Sequence, residues 1–129
     1  MFIRFVSGEI HNESHLAAGL FCTVDRLLDE VWLPEHEYQA LMEPLRWFDL
    51  HLAAPFDYRL EPASLAEQAL CWFRGTAHEH LARAWEVAGI LDDRDIFMRT
   101  IRCHKVGYVL YEDEFQVLAY PFADIRRFL

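Results

Sequence analysis

Apolar and polar positions alternate along this chain with two different periods, and the change of period outlines the fold. Residues 1–6, Met-Phe-Ile-Arg-Phe-Val, alternate weakly and are rich in β-favouring side chains, so they predict a short strand. Ser7 to Ser14 is polar and reads as a loop. From residue 15 to 31 the period lengthens. Leu16, Leu20, Val24, Leu27, Leu28 and Val31 recur at three- and four-residue steps, with Ser14 placed as an N-cap, and predict a first helix. A second helix is predicted over 35–52, where Tyr38, Leu41, Leu45, Phe48 and Leu52 keep register. Pro34 ends the first helix or starts the second. Pro44 lies inside the second pattern, where a missing N–H and a ring clash predict a kink or a break.

Residues 53–63, with Pro55 and Pro62, read as an irregular connection. Ser64-Leu-Ala-Glu67 and Thr76-Ala-His-Glu79 both match the capping-box pattern. The second precedes a stripe of Leu81, Ala84, Trp85, Ala88 and Leu91, which predicts a third helix. Between the boxes, Ala69-Leu-Cys-Trp-Phe73 is continuously apolar. Periodicity does not separate a buried strand from a helical turn there, and the reading favours a strand.

Asp92 to Asp95 reads as a turn, and residues 96–103 alternate with Met98 and Ile101 on opposite faces. The tail from Gly107 to Pro121 has two β-favouring runs around Glu112-Asp113-Glu114, the pattern of an antiparallel hairpin. With those three acids as the loop, Tyr111 opposes Phe115 and Val109 opposes Val117. Both hairpin faces are apolar, so both are expected to be covered. The expected fold is a single α+β domain over residues 1–129. Three main helices pack on a small, mainly antiparallel sheet built from residues 96–120, and the N-terminal strand joins at an edge.

Composition narrows the function classes. The chain has 129 residues, enough for one core without staples, and 53% of them are hydrophobic. Its net charge is −9, with residues 1–64 holding eleven acidic and four basic side chains. Such a surface repels phosphate and disfavours nucleic acid; it suits a basic protein partner, or serves solubility alone. Three separated cysteines form neither a disulfide framework nor a zinc motif, which points to free thiols and a cytoplasmic setting. No apolar run is long enough to predict a membrane span.

Candidate chemistry is sparse. His11 and His15 stand four apart in the first loop, and His78 and His80 flank Glu79; these four are the candidate metal ligands. Solvated loop histidines and an exposed helix start explain them as well. Cys71 and His104 would make a nucleophile and base only if the fold joined them. Glu112, Asp113 and Glu114 offer carboxylates to a cation or a basic partner, or form a solvated tip. Trp47 and Trp72 are core residues unless exposed, in which case they become binding anchors. No nucleotide-binding or hydrolase motif is present, so neither catalytic residues nor a cofactor are expected.

The segments Trp47-Phe48 with Leu50 and Leu52, Cys71-Trp-Phe-Arg74, and Gly107-Tyr-Val-Leu-Tyr-Glu-Asp-Glu-Phe-Gln-Val117 resemble a family of small uncharacterised bacterial proteins of similar length. The resemblance implies a bacterial cytoplasmic protein and brings no activity with it. The expectation is therefore a non-catalytic interaction or regulatory module, of inhibitor or immunity type, with a basic protein partner. The alternative is a small enzyme or a metal- or ligand-binding domain that uses a histidine–carboxylate cluster assembled by the fold.

Overall fold

The computed structural model describes residues 1–10, 17–54 and 69–122, with the backbone alone described for residues 8–10, 17 and 18. Among them are six strands and three helices in an α+β arrangement: β1 Phe2–Ile10, β2 Ala17–Gly19, α1 Leu20–Glu30, α2 Glu35–His51, β3 Leu70–Arg74, α3 His78–Asp92, β4 Met98–Cys103, β5 Tyr108–Glu112 and β6 Gln116–Tyr120. Ser14 and the Ser64 capping box lie outside the described residues. Among the described residues no helix is long and apolar enough to cross a membrane.

Every strand pairing is antiparallel, and β1 is the hub. One edge of β1 pairs with β4 from Phe2–Cys103 to Ser7–Met98. The other edge pairs first with β3, at Phe2–Arg74 and Ile3–Phe73, and further along with β2, at Val6–Gly19 and Ile10–Ala17. The sheet then continues from β3 to β6 to β5. The N-terminal strand is thus central, not an edge, and the sheet extends well beyond residues 96–120. The alternation of residues 1–6 is weak because both faces of β1 are covered: Ile3, Phe5, Arg4 and Val6 are all buried.

The first helix starts later than its stripe suggests. Residues 17–19 are drawn into pairing with β1, and Gly19 is extended (φ −76°, ψ 177°) at the cap of α1. The second helix runs unbroken through Pro44, whose ring is fully buried beside Leu41 and Phe48. Packing of that apolar ring offsets the lost hydrogen bond. Pro34 is the N-cap of α2, and its carbonyl accepts the Tyr38 N–H at 2.9 Å.

The helices cover one face of the sheet. Their apolar stripes are Leu20, Val24 and Leu27 of α1, Leu41 and Phe48 of α2, and Ala84, Val87, Ala88 and Leu91 of α3, which bury against Ile3, Phe5, Phe73 and Met98. Phe21, Phe48 and Phe73 meet pairwise at 5.1–6.4 Å between ring centroids, and Phe21 stands edge-on to Phe48. Trp85 belongs to the predicted stripe of α3 but is half exposed, its indole edge-on to Phe5 at 5.0 Å.

The second face carries Leu70, Trp72, Val106, Val117 and Ala119, joined by Phe2, Ile101 and Cys103. The four-residue link between β4 and β5 explains how this face closes. Cys103 pairs with Phe2 at one margin and end of the sheet; Tyr108 pairs with Tyr120 at the opposite margin and end. Across a flat sheet that diagonal would be about 25 Å. Five Cα steps reach about 17 Å. The sheet therefore curls toward this face, and the link crosses it with Val106 buried beneath.

The hairpin forms, with a different register from the one expected. Val109 pairs with Ala119, and after an irregularity at Leu110, Tyr111 pairs with Leu118 and Glu112 with Val117. The turn is centred on Glu114 and Phe115, because the Asp113 carboxylate accepts the backbone N–H groups of Phe115 and Gln116. Both faces of β6 are covered, as Gln116 to Ala119 are all buried. Those of β5 are not: Tyr108, Val109 and Leu110 are exposed on this edge strand.

Gly107 adopts φ +124°, and a Cβ there would lie 2.1 Å from the Tyr120 carbonyl oxygen. Gly107→Ala is expected to cost on the order of 2–4 kcal/mol, since strain and a backbone clash add. Urea unfolding of the variant beside the parent checks this; an unchanged midpoint contradicts the close crossing.

Candidate functional site

A tight turn leads from β3 into α3. The Ala77 N–H donates to the Arg74 carbonyl at 3.0 Å, which makes Ala77 the residue at the helix cap. The expected Thr76–Glu79 capping box is accordingly absent: no side chain caps α3, and Thr76 and Glu79 are exposed. The turn sets α3 one residue later than the box requires. Glu79 is left to face solvent at the mouth of a cleft.

That cleft encloses about 870 Å³ between the end of α2, the start of α3 and the β5–β6 turn. Trp47, Leu50, Leu52 and Phe115 form apolar walls, and Leu50 is 81% exposed. Asp49, Glu79, Asp113 and Glu114 supply carboxylates; His51, His78 and His80 supply imidazoles. Among the described residues no Lys or Arg lines it.

His80 ties the three walls together. It is 4% exposed, and its Nε2 lies 2.8 Å from the His51 carbonyl at the end of α2. A carbonyl only accepts, so Nε2 carries the proton. The ring stacks on Phe115 at 4.2 Å and meets Trp47 edge-on at 4.7 Å. His51 stacks in turn on Trp47 at 4.4 Å, and its Nδ1 donates to the Trp47 carbonyl at 2.9 Å. Arg83 lies over the Trp47 ring at 5.3 Å. Trp47 is held in this stack and presents only part of its surface to the cleft.

The acidic turn is built, not merely solvated. The Arg74 guanidinium donates to the Asp113 carbonyl at 2.7 Å and pairs with Glu112 at 2.9 Å. Asp113 also accepts the Tyr111 hydroxyl at 2.8 Å and the Gln116 amide at 3.2 Å. Gln116, buried beneath, donates to the Ala53 carbonyl at 2.7 Å and so joins the turn to the end of α2. Desolvation pushes the Asp113 carboxyl up, but the bonds from Phe115, Tyr111 and Gln116 outweigh it and hold the carboxyl below its usual value. The same bond raises the Tyr111 hydroxyl. Of the three acids, Glu114 alone points to the cleft without a bond to another described side chain.

Several candidates separate. His11 and His15 lie outside the described residues. His78 is exposed and His80 buried, as the i, i+2 offset on a helix requires, and no group of three metal-ligating side chains occurs among the described residues. Trp72 is wholly buried in the second face and offers no contact surface, because β3 is covered on both sides. Cys71 and His104 make no contact: the Cys71 thiol donates to the Gln116 amide oxygen at 3.4 Å, and His104 is exposed on the β4–β5 link. Burial pushes the Cys71 thiol up to about 12, so no thiolate nucleophile exists there at neutral pH. Sequence reasoning missed Asp49, Leu50, His51 and Phe115 as wall residues. It also missed Trp32, 82% exposed after α1. A smaller cavity of about 350 Å³ lies between α1, α2 and α3, with the Arg94–Glu37 pair (2.6 Å) at its rim.

Asp113→Ala removes the carboxylate's bonds to Phe115, Gln116 and Tyr111, leaves the Arg74 bonds in place, and is expected to cost about 2–3 kcal/mol. Asp113→Asn keeps acceptors for the two backbone N–H groups and costs less. Because the native carboxyl lies below its unfolded value, its contribution is present above that unfolded value and is lost as pH falls through the native one. Denaturant unfolding from neutral to acid pH should show the parent and the Asn variant converging at the acid end; a constant gap contradicts the assignment. No protein-family model matches the chain, and neither a curated protein nor a solved structure matches it.

Proposed function

We propose that this is a non-catalytic binding protein whose cleft receives a cationic segment of a protein partner. One observation carries the reading: four carboxylates stand among apolar and aromatic walls, and among the described residues no Lys or Arg lines the cleft. Asp49, Glu79 and Glu114 make no ion pair among the described residues. An arginine side chain is the fitting guest, since its planar cation bonds carboxylates in a bidentate way and lies flat on aromatic rings. The net charge of −9 adds long-range attraction that speeds encounter and weakens with salt.

The polar groups deepest in the site support binding over catalysis. His80 and Asp113 are engaged in holding walls together, and no nucleophile stands beside a base among the described residues. A regulatory or immunity-like role in a bacterial cytoplasm, with the partner's basic surface capped, is the setting that suits these features.

Titration calorimetry with a capped hexa-arginine peptide at low salt tests the reading. The parent is expected to bind, with affinity falling as salt rises. The triple variant D49N/E79Q/E114Q should lose about tenfold or more. A control of equal charge change outside the cleft, D29N/E30Q/E43Q, should lose much less. Absence of binding by the parent, or equal losses in the two variants, overturns the cleft as the docking surface.

A further inference from the structure

Three histidines share the cleft wall with the four carboxylates. We propose that protonation of His51, His78 and His80 releases the cationic guest, so that the cleft binds at neutral pH and lets go in mild acid. The inference rests on the cleft being a cation-binding surface.

His80 Nε2 and His51 Nδ1 are each fixed as donors by a backbone carbonyl. The opposite nitrogen of each ring, Nδ1 of His80 and Nε2 of His51, is therefore the bare acceptor in the neutral imidazole. A proton added there breaks neither carbonyl bond. It converts an acceptor into a donor and places a positive charge on the wall. His78, exposed on the first turn of α3, adds a third charge without a structural bond to lose.

The surrounding charges set the sign. Among the described residues, the titratable groups that share the cleft lining with these rings are Asp49 on α2, Glu79 on α3 and Asp113 and Glu114 in the turn. Arg83 lies across Trp47, and Arg74 is paired with Glu112 beside the turn. With neutral histidines the lining carries four negative charges, and with three imidazolium rings the net falls to one. Carboxylates stay ionised in the range where histidine as a class gains its proton, so acidification removes attraction while the fold's bonds persist. A guanidinium or ammonium guest, which only donates hydrogen bonds, also loses two ring acceptors.

The test measures affinity for the capped hexa-arginine peptide at about pH 7.5 and about pH 5.5 at fixed ionic strength, with far-UV circular dichroism recorded at both. The parent should weaken by roughly tenfold or more. The variant H78Q, which leaves His51 and buried His80 in place, should bind at the higher pH and lose part of the pH dependence. Ring-carbon chemical shifts should show the peptide lowering the His80 titration midpoint in the same variant. Failure of the parent to bind at the higher pH overturns the binding reading itself. Binding of equal strength at both pH values, or an equal drop in parent and variant with an unmoved His80, overturns the gating alone, as does a drop accompanied by loss of the far-UV signal.

Discussion

Strand β1 commits its backbone hydrogen bonds on both edges, and the remaining architecture follows from that. One edge is zipped along β4; the other is shared end to end by β3 and β2. Residues 3–7 of this strand are buried on both faces: the helices cover Ile3 and Phe5, and the curled sheet encloses Phe2 and its neighbours. The pairing of β1 with β3 also fixes where β3 ends. Its last residue, Arg74, stands beside the β5–β6 turn, and α3 begins four residues later. The cleft exists because that strand end, that turn and the end of α2 are brought to one corner.

Within that corner, bonding capacity is divided between structure and surface. Each neutral imidazole of His80 and His51 commits one nitrogen to a carbonyl, and Asp113 commits its carboxylate to the turn. Asp49, Glu79 and Glu114 remain toward the cleft without an ion pair among the described residues. An unpaired buried polar group costs on the order of 1–3 kcal/mol, so the walls resist rearrangement.

Much of the secondary structure was legible in the pattern of residues. The stripe from Tyr38 to Leu52 places α2 within a residue of its observed ends, and the apolar run at 69–73 is the strand β3. The parts that escaped depend on partners remote in sequence. The central position of β1 is set by residues 73–74 and 98–103. Residues 17–19 leave the helical pattern for pairing with β1. The hairpin register turns on one carboxylate, Asp113, taking two backbone N–H groups, and on the irregularity at Leu110. The site was the least legible. His78 and His80 were visible as residues, yet the burial of one arises from Trp47 and Phe115, and the acidic triplet looked uniform although its members have three different tasks. Periodicity reports which face of an element is apolar and is silent on which elements share a corner.

The order of the strands along the chain gives β1 a further property, one of timing. Its first long partner, β3, follows by about sixty residues, and β4 by about ninety. At a synthesis rate of about 5–20 residues per second, β1 leaves the ribosome several seconds before either. During that interval Phe2, Ile3, Phe5 and Val6 form an apolar extended segment with two open edges, a template for intermolecular β-pairing. The strand that organises the finished protein is the segment most in need of protection while the nascent chain is still incomplete.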